Sequence, residues 1–175
     1  MKLKKLLALA LAGVLMLTLL TGCSGDGNGE DRLVAEAIAD IFKRIYPNTE
    51  VSYGVPALTR TIRPAFTPDW FQKDGEGNII YLKSDFPIDA GLHLDDFLRG
   101  SLKAYEQSNY VSFIAFDSTG MSAREQAEKF SSGVPSVGVY DKGVSPGANT
   151  KLRVGVCHKT VDGREYCLVV VVRAR

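Results

Sequence analysis

The 175-residue chain is short of the residues that carry most enzyme chemistry. It has two histidines, three cysteines and one tryptophan. It contains no glycine-rich phosphate loop with its lysine, no His-Glu-x-x-His and no Gly-x-Ser-x-Gly. The familiar nucleotide-binding, zinc-protease and nucleophile-elbow signatures are therefore missing, and no cofactor is expected. Any Ser-His or Cys-His mechanism would have to take His93 or His158 as its base. No apolar run reaches the roughly 20 residues that a stable membrane-spanning helix needs. A basic surplus is also lacking: 21 Lys and Arg stand against 20 Asp and Glu. That is too little to neutralise a phosphate backbone, so nucleic acid is not an expected partner.

What the chain does have begins at its first residue. Lys2, Lys4 and Lys5 precede an apolar stretch from Leu6 to Leu20, and Leu20-Thr21-Gly22-Cys23 closes it. A basic start, a short apolar helix and small residues at the end describe a cleaved export signal over residues 1–22. Small residues before a cysteine resemble the bacterial lipobox, in which Cys23 receives a diacylglyceryl thioether and becomes the new N-terminus. Two or more acyl chains hold a protein stably on a membrane, where a single chain does so only marginally. The expected location is the extracytoplasmic face of a membrane, held there by the anchor at Cys23. Removing the three leader lysines leaves 18 basic residues against 20 acidic ones, a formal charge of −2, so the acyl chains rather than charge would keep it there. Ser24-Gly25-Asp26-Gly27-Asn28-Gly29 is too polar and too glycine-rich to bury surface and reads as a tether over residues 23–29. One domain is expected over residues 30–175.

Apolar residues at three- and four-residue spacing (Leu33, Val34, Ala37, Ile38, Ile41, Phe42, Ile45) predict a helix over residues 31–46, stopped by Pro47-Asn48. Residues 50–66 keep neither period for long and predict a strand fragment at 51–53 followed by irregular chain. Thr67-Pro68-Asp69 has the pattern of an N-cap with proline at the first helical position, predicting a short helix holding Trp70 and Phe71. A strand is expected over 79–83, a helix over 94–107 and a buried strand over 111–116. Ser122 and Glu125 have capping-box spacing for a helix through Phe130. Residues 134–140 are expected to be extended, and the valine-rich stretches 152–158 and 165–173 predict a terminal hairpin.

The hairpin contains Cys157 and Cys167, the two cysteines left once Cys23 is acylated. Export favours disulfides, and loop length decides whether these two can meet. A three-residue loop of Val161, Asp162 and Gly163 sets Cys157 opposite Cys167, whereas a two-residue Asp162-Gly163 loop turns them to opposite faces. The spacing of the cysteines favours the first and predicts a cross-strand disulfide. With His158 they supply too few ligands for a metal site.

Two further groups are candidates. His93 precedes a helix beside Asp95 and Asp96, the one constellation from which a hydrolase reading can be built, although the two acids are equally suited to a helix terminus. Trp70, Phe71, Tyr81 and Phe86, interspersed with prolines, are candidates either for a binding groove or for the core.

From Val111 onward the order of features resembles the C-terminal half of the CAP superfamily, also called SCP-like extracellular domains. Val111-Ser112-Phe113-Ile114-Ala115 stands where that family has its Gly-Glu-Asn-Ile-Ala strand. The stretch from Ser122 to Phe130 stands for its helix, Leu152-Arg153-Val154-Gly155-Val156 for its Gly-Val-Gly-Val strand, and Tyr166 to Val171 for its last strand. The resemblance implies an α-β-α sandwich used outside the cell for binding. Ser112 replaces the family's strand glutamate, and Val134 or Pro135 replaces its histidine, so the implied domain lacks the His/Glu cluster of the family cavity and binds no metal there. The expected fold class is α+β, a sandwich-like antiparallel sheet with a C-terminal hairpin packed by helices. The expected function is non-catalytic binding of a surface partner, small ligand or envelope component, with a hydrolase using His93 as the alternative.

Overall fold

The computed structural model describes residues 29–76, 79–105, 111–132, 136–138 and 150–174. Residues 1–28, on which the expected export signal, Cys23 and the expected tether fall, lie outside them, as do Val134 and Pro135. Helix α1 (Gly29–Ile45) opens with Glu30 and Asp31 and ends with Lys43 and Arg44, charges that complement the helix dipole at both ends. Strand β1 (Glu50–Tyr53) follows. The stretch expected to be irregular instead coils as a wide helical turn, Leu58–Ile62, continuing into the short helix α2 (Arg63–Ala65). Pro64 brings no N–H to this segment, and a wide turn tolerates that loss better than a regular helix.

Thr67 accepts the Asp69 N–H as foreseen, but the turn it starts is a single 3₁₀ turn, Pro68–Trp70. Phe71 already belongs to strand β2 (Phe71–Lys73), which pairs with β3 (Ile79–Leu82). The small ribbon of β4 (Pro87–Asp89) and β5 (Leu92–His93) leads into α3 (Leu94–Ser101). That helix is shorter than its apolar spacing predicts, and Lys103–Tyr105 continues it as a 3₁₀ turn. Gly100 in its last turn weakens propagation by about 1 kcal/mol relative to alanine. Strand β6 (Val111–Asp117), helix α4 (Ala123–Ser131) with its complete Ser122–Glu125 capping box, β7 (Ser136–Gly138), β8 (Lys151–Val161) and β9 (Arg164–Ala174) complete the described elements.

The main sheet runs in the order β1-β8-β9-β6-β7. It is antiparallel apart from β1, which lies parallel to β8 at one edge. Both faces are covered. Leu152, Val154, Val156, Val169 and Val171 bury one side against Val34, Ala35 and Ile38 of α1 and Ala127 of α4. Val111, Phe113, Leu168, Val170 and Val172 bury the other against Leu58, Ile62, Phe66, Trp70, Leu94 and Leu98. The fold is thus α+β with a helix–sheet–helix layering. The layering explains why β9 is a continuous valine run: a central strand enclosed on both sides has no solvent face to mark with polar residues. Val169, Val170 and Val171 are fully buried, each contributing about 1.5–3 kcal/mol relative to exposure.

Within α1 the buried row is Val34, Ala35, Ile38 and Ala39. Leu33 and Ile45, which the spacing had grouped with the core, are instead exposed, at 57% and 61%. Gly155 on β8 is packed so closely by Val55 that a Cβ there would lie 2.7 Å from the valine side chain. The absence of a side chain lets the chain leaving β1 cross directly over the sheet.

The hairpin corrects the disulfide. Val161 pairs with Arg164, so the loop is the two residues Asp162-Gly163, both with positive φ (51° and 76°). This is the primed turn whose twist matches that of the flanking strands, and aspartate tolerates its left-handed first position. Cys157 then pairs with Leu168 and His158 with Cys167. Cys157 packs with one face of the sheet and Cys167 with the other, and both are free, buried thiols.

Candidate functional site

The two-residue loop that separates the cysteines also decides where His158 goes. Its side chain continues the row Leu152, Val154, Val156 toward α1 and α4, at a position where alternation calls for another apolar residue. The ring is 7% exposed, and Asp31, in the first turn of α1, is 5% exposed. His158 Nδ1 lies 2.5 Å from Asp31 Oδ1, and Nε2 lies 2.8 Å from Gln126 Oε1 on α4. Gln126 is itself fully buried. Its Nε2 donates to Glu30 Oε1 at 3.1 Å and to the Met121 carbonyl at 3.2 Å.

Donor and acceptor counting fixes the protonation of this cluster. Glu30 and the Met121 carbonyl are both acceptors, so the amide nitrogen of Gln126 must face them and its oxygen must face His158. Asp31 is also an acceptor. Both ring nitrogens therefore carry hydrogen, and His158 is an imidazolium set between a carboxylate and an amide oxygen. Burial on its own disfavours that charged ring. The hydrogen bond and charge of Asp31, followed by the charges of Glu30 and Glu165, hold the His158 pKa above its ordinary value.

The arrangement resembles the outer two members of a catalytic triad but places no nucleophile at the reacting end. Nε2, which would face a serine or thiol in such a site, faces the oxygen of Gln126. Cys167, across the strand pair from His158, is held well above the ordinary thiol pKa by burial, with the Cys157, Asp31, Glu165 and Glu30 charges adding to it. It is a packing residue and not a thiolate. Donor atoms of Glu30, His158 and Glu165 lie within 4.8 Å of one another. Both ring nitrogens are already committed, however, so a metal would first have to displace a proton and break the Gln126 contact. The chemical capacity of the cluster is to hold a positive charge that ties β8 to both helices.

The residues singled out by sequence are distributed elsewhere. His93 is exposed at the start of α3, with no capping hydrogen bond from its side chain. Asp95 pairs with Arg99 at 2.9 Å, and Asp96 is exposed, so the structure does not gather these groups into a cleft. Trp70 and Phe71 are buried core residues and not groove walls. Phe66 binds them together by ring contacts at 5.3 and 5.9 Å. Phe86 is half-buried against the same core, and Tyr81 alone of the four is exposed, at 51%.

Two concavities adjoin α1. One, of about 150 Å³, lies between α1, β1 and β8, lined by Asp31, Arg32, Tyr53 and Val55 among others. Two of these side chains touch each other, the Arg32 guanidinium lying 3.9 Å from the centre of the Tyr53 ring. The other, of about 620 Å³, is an open cleft between α1 and α4 with Ala37, Ile41 and Ala127 among its lining residues. Both cysteines lie away from these surfaces. Burial pushes the Cys157 thiol up to about 12, with the Asp31 charge adding to the shift. The native protein is expected to leave both thiols unmodified by an aromatic disulfide reagent, to react twice per domain after unfolding, and to unfold at the same denaturant concentration with or without reductant. A reductant-dependent midpoint would show a bridge that this register forbids.

No family profile, no curated protein and no solved structure matches this chain.

Proposed function

We propose that the protein is a lipid-anchored extracytoplasmic binding domain, tethered through Cys23 and acting by contact and not by catalysis. The observation that carries this reading is the construction of its first helix. Helix α1 starts at Gly29, six residues beyond the cysteine of the proposed lipobox. Within one further turn Asp31 is fastened to β8 by the buried imidazolium of His158. A pull on the tether is thus delivered straight into the sheet, as suits a body held at a surface. The absence of a nucleophile at the only buried histidine among the described residues supports a binding role over hydrolysis, and the exposure of His93 removes the support for the hydrolase alternative. The layering is compatible with the CAP resemblance, but no family or structure match accompanies it, and it carries no part of the proposal.

Metabolic labelling with an alkyne fatty acid in the native host tests the anchor. The wild-type chain is expected to carry the label and to sediment with membranes. Cys23→Ser is expected to lose the label and to retain the leader. An unlabelled wild-type protein beginning at Met1 would overturn the reading.

A further inference from the structure

Of the three large hydrophobic residues found exposed among the described residues, two, Leu33 and Ile45, lie on α1. They stand near its opposite ends. Between them Ala37 and Ile41 line the 620 Å³ cleft shared with Ala127 of α4. Leu33, Ala37, Ile41 and Ile45 recur every four residues, so they form one apolar strip along the helix. The strip is offset from the fully buried row of Val34 and Ile38, with its middle residues Ala37 and Ile41 half-buried against that core and its ends exposed. Long charged side chains border it: Lys43 is 3.8 Å from Asp40, Arg124 pairs with Glu128 at 2.9 Å, and Arg44 lines the cleft. Such side chains can lay their methylenes along an apolar boundary while the charged heads reach headgroups.

Chain length says what this strip meets. Six Cα steps separate Cys23 from Gly29, a covalent reach of about 20 Å at full extension. The 17 residues of α1 span about 25 Å. A helix as long as its own leash, starting where the leash ends, cannot stand far from the bilayer that holds the acyl chains. We propose that the α1/α4 face, through Leu33, Ile45 and the intervening cleft, lies against the lipid interface of the membrane that carries the anchor. This proposal rests on acylation of Cys23. The strip is too small to bind a bilayer alone. The anchor supplies the affinity by raising the local concentration of the face at the lipid, and the strip sets which side of the domain turns down and which is presented outward.

The test uses the mature lipidated protein, purified from its host and reconstituted into phosphatidylethanolamine/phosphatidylglycerol vesicles with brominated acyl chains. Trp70, the chain's single tryptophan, is fully buried on the far side of the sheet, so it serves as an unquenched reference. Leu33→Trp and Ile45→Trp replace exposed residues and leave the core intact. Each is expected to lose about half of its added emission to bromine, as befits a side chain ~5–10 Å into the headgroup boundary, whereas Tyr81→Trp keeps its emission. Protein that floats with the vesicles but shows no quenching at residues 33 and 45 would overturn the docked face while leaving the anchor standing. Protein that fails to float would overturn the anchor and this inference together. Emission at 33 and 45 that bromine cannot quench but that is shielded from aqueous iodide would assign the face to a protein partner, and would equally overturn it.

Discussion

His158→Leu is expected to lower the stability of the domain by about 3–5 kcal/mol, the usual cost of removing one member of a buried charged pair. Leucine fills most of the space, so the loss comes from what is left behind. Asp31, 5% exposed, loses the imidazolium it pairs with, and the oxygen of Gln126 loses its donor. Asp31→Asn in the His158→Leu background should recover part of the loss, because it removes the charge that His158 offset. A double-mutant cycle by urea denaturation then yields a coupling well above the few tenths of a kcal/mol seen between independent sites. Additive losses would show that the pair does not act as a unit.

The same cluster sets a pH dependence, and its sign follows from proton counting. The folded state holds the His158 proton more tightly than the unfolded chain does, whose histidines titrate near a pKa of about 6.5. The stabilisation is therefore fully present below that value and is lost as pH rises through the higher folded-state pKa. The groups facing the ring are Asp31 and Glu30 from α1, Gln126 from α4, and Glu165 and Cys167 from β9. Three of the five are acidic side chains, and their charges favour the protonated ring. Wild-type stability is thus expected to fall as pH rises from about 6.5, whereas His158→Leu has lost that decline. Parallel pH profiles for the two proteins would assign the titration to some other group.

Local rules were enough for much of this architecture. The capping box at Ser122, the amphipathic α1 and the two valine-rich strands of the hairpin each carry their signal within a dozen residues, and each forms where its pattern places it. The cluster around His158 has no such signal. Its partners lie 127 and 32 residues away in sequence, and nothing near Asp31 distinguishes it from an ordinary first-turn acid at a helix N-terminus. The one available clue was the break in alternation, a histidine following Leu152, Val154 and Val156 on the same side of β8. Reading that clue required the hairpin register, and the register turned on whether Val161 belonged to the loop or to the strand. The cysteine spacing argued for the loop, but the Asp162-Gly163 turn holds the ladder one residue tighter. The outward position of Leu33 was hidden for a related reason. Two apolar rows share α1, and periodicity alone does not say which of them the sheet will take.

The aromatic group beside the prolines gives the second large effect, and it separates core from surface within one short segment. Trp70 is fully buried and meets Phe66 edge-on at 5.3 Å, Phe97 at 6.1 Å and Phe113 at 6.3 Å. Trp70→Ala removes the largest side chain of that face and leaves a cavity its ring neighbours cannot close, an expected cost of about 3–5 kcal/mol. Trp70→Phe should cost less than Trp70→Ala for two reasons: the aromatic contacts largely survive, and the indole N–H, buried with no hydrogen-bond partner among the described residues, is removed along with its desolvation penalty. Tyr81, eleven residues further on and 51% exposed, predicts the contrasting outcome, with Tyr81→Ala staying within about 0.5 kcal/mol of wild type. Urea midpoints for the three variants check the ordering. Equal, small losses at both positions would return Trp70 to the surface groove that its proline-rich surroundings suggest, and would remove the ring cluster from the packing that holds α2 and α3 against the sheet.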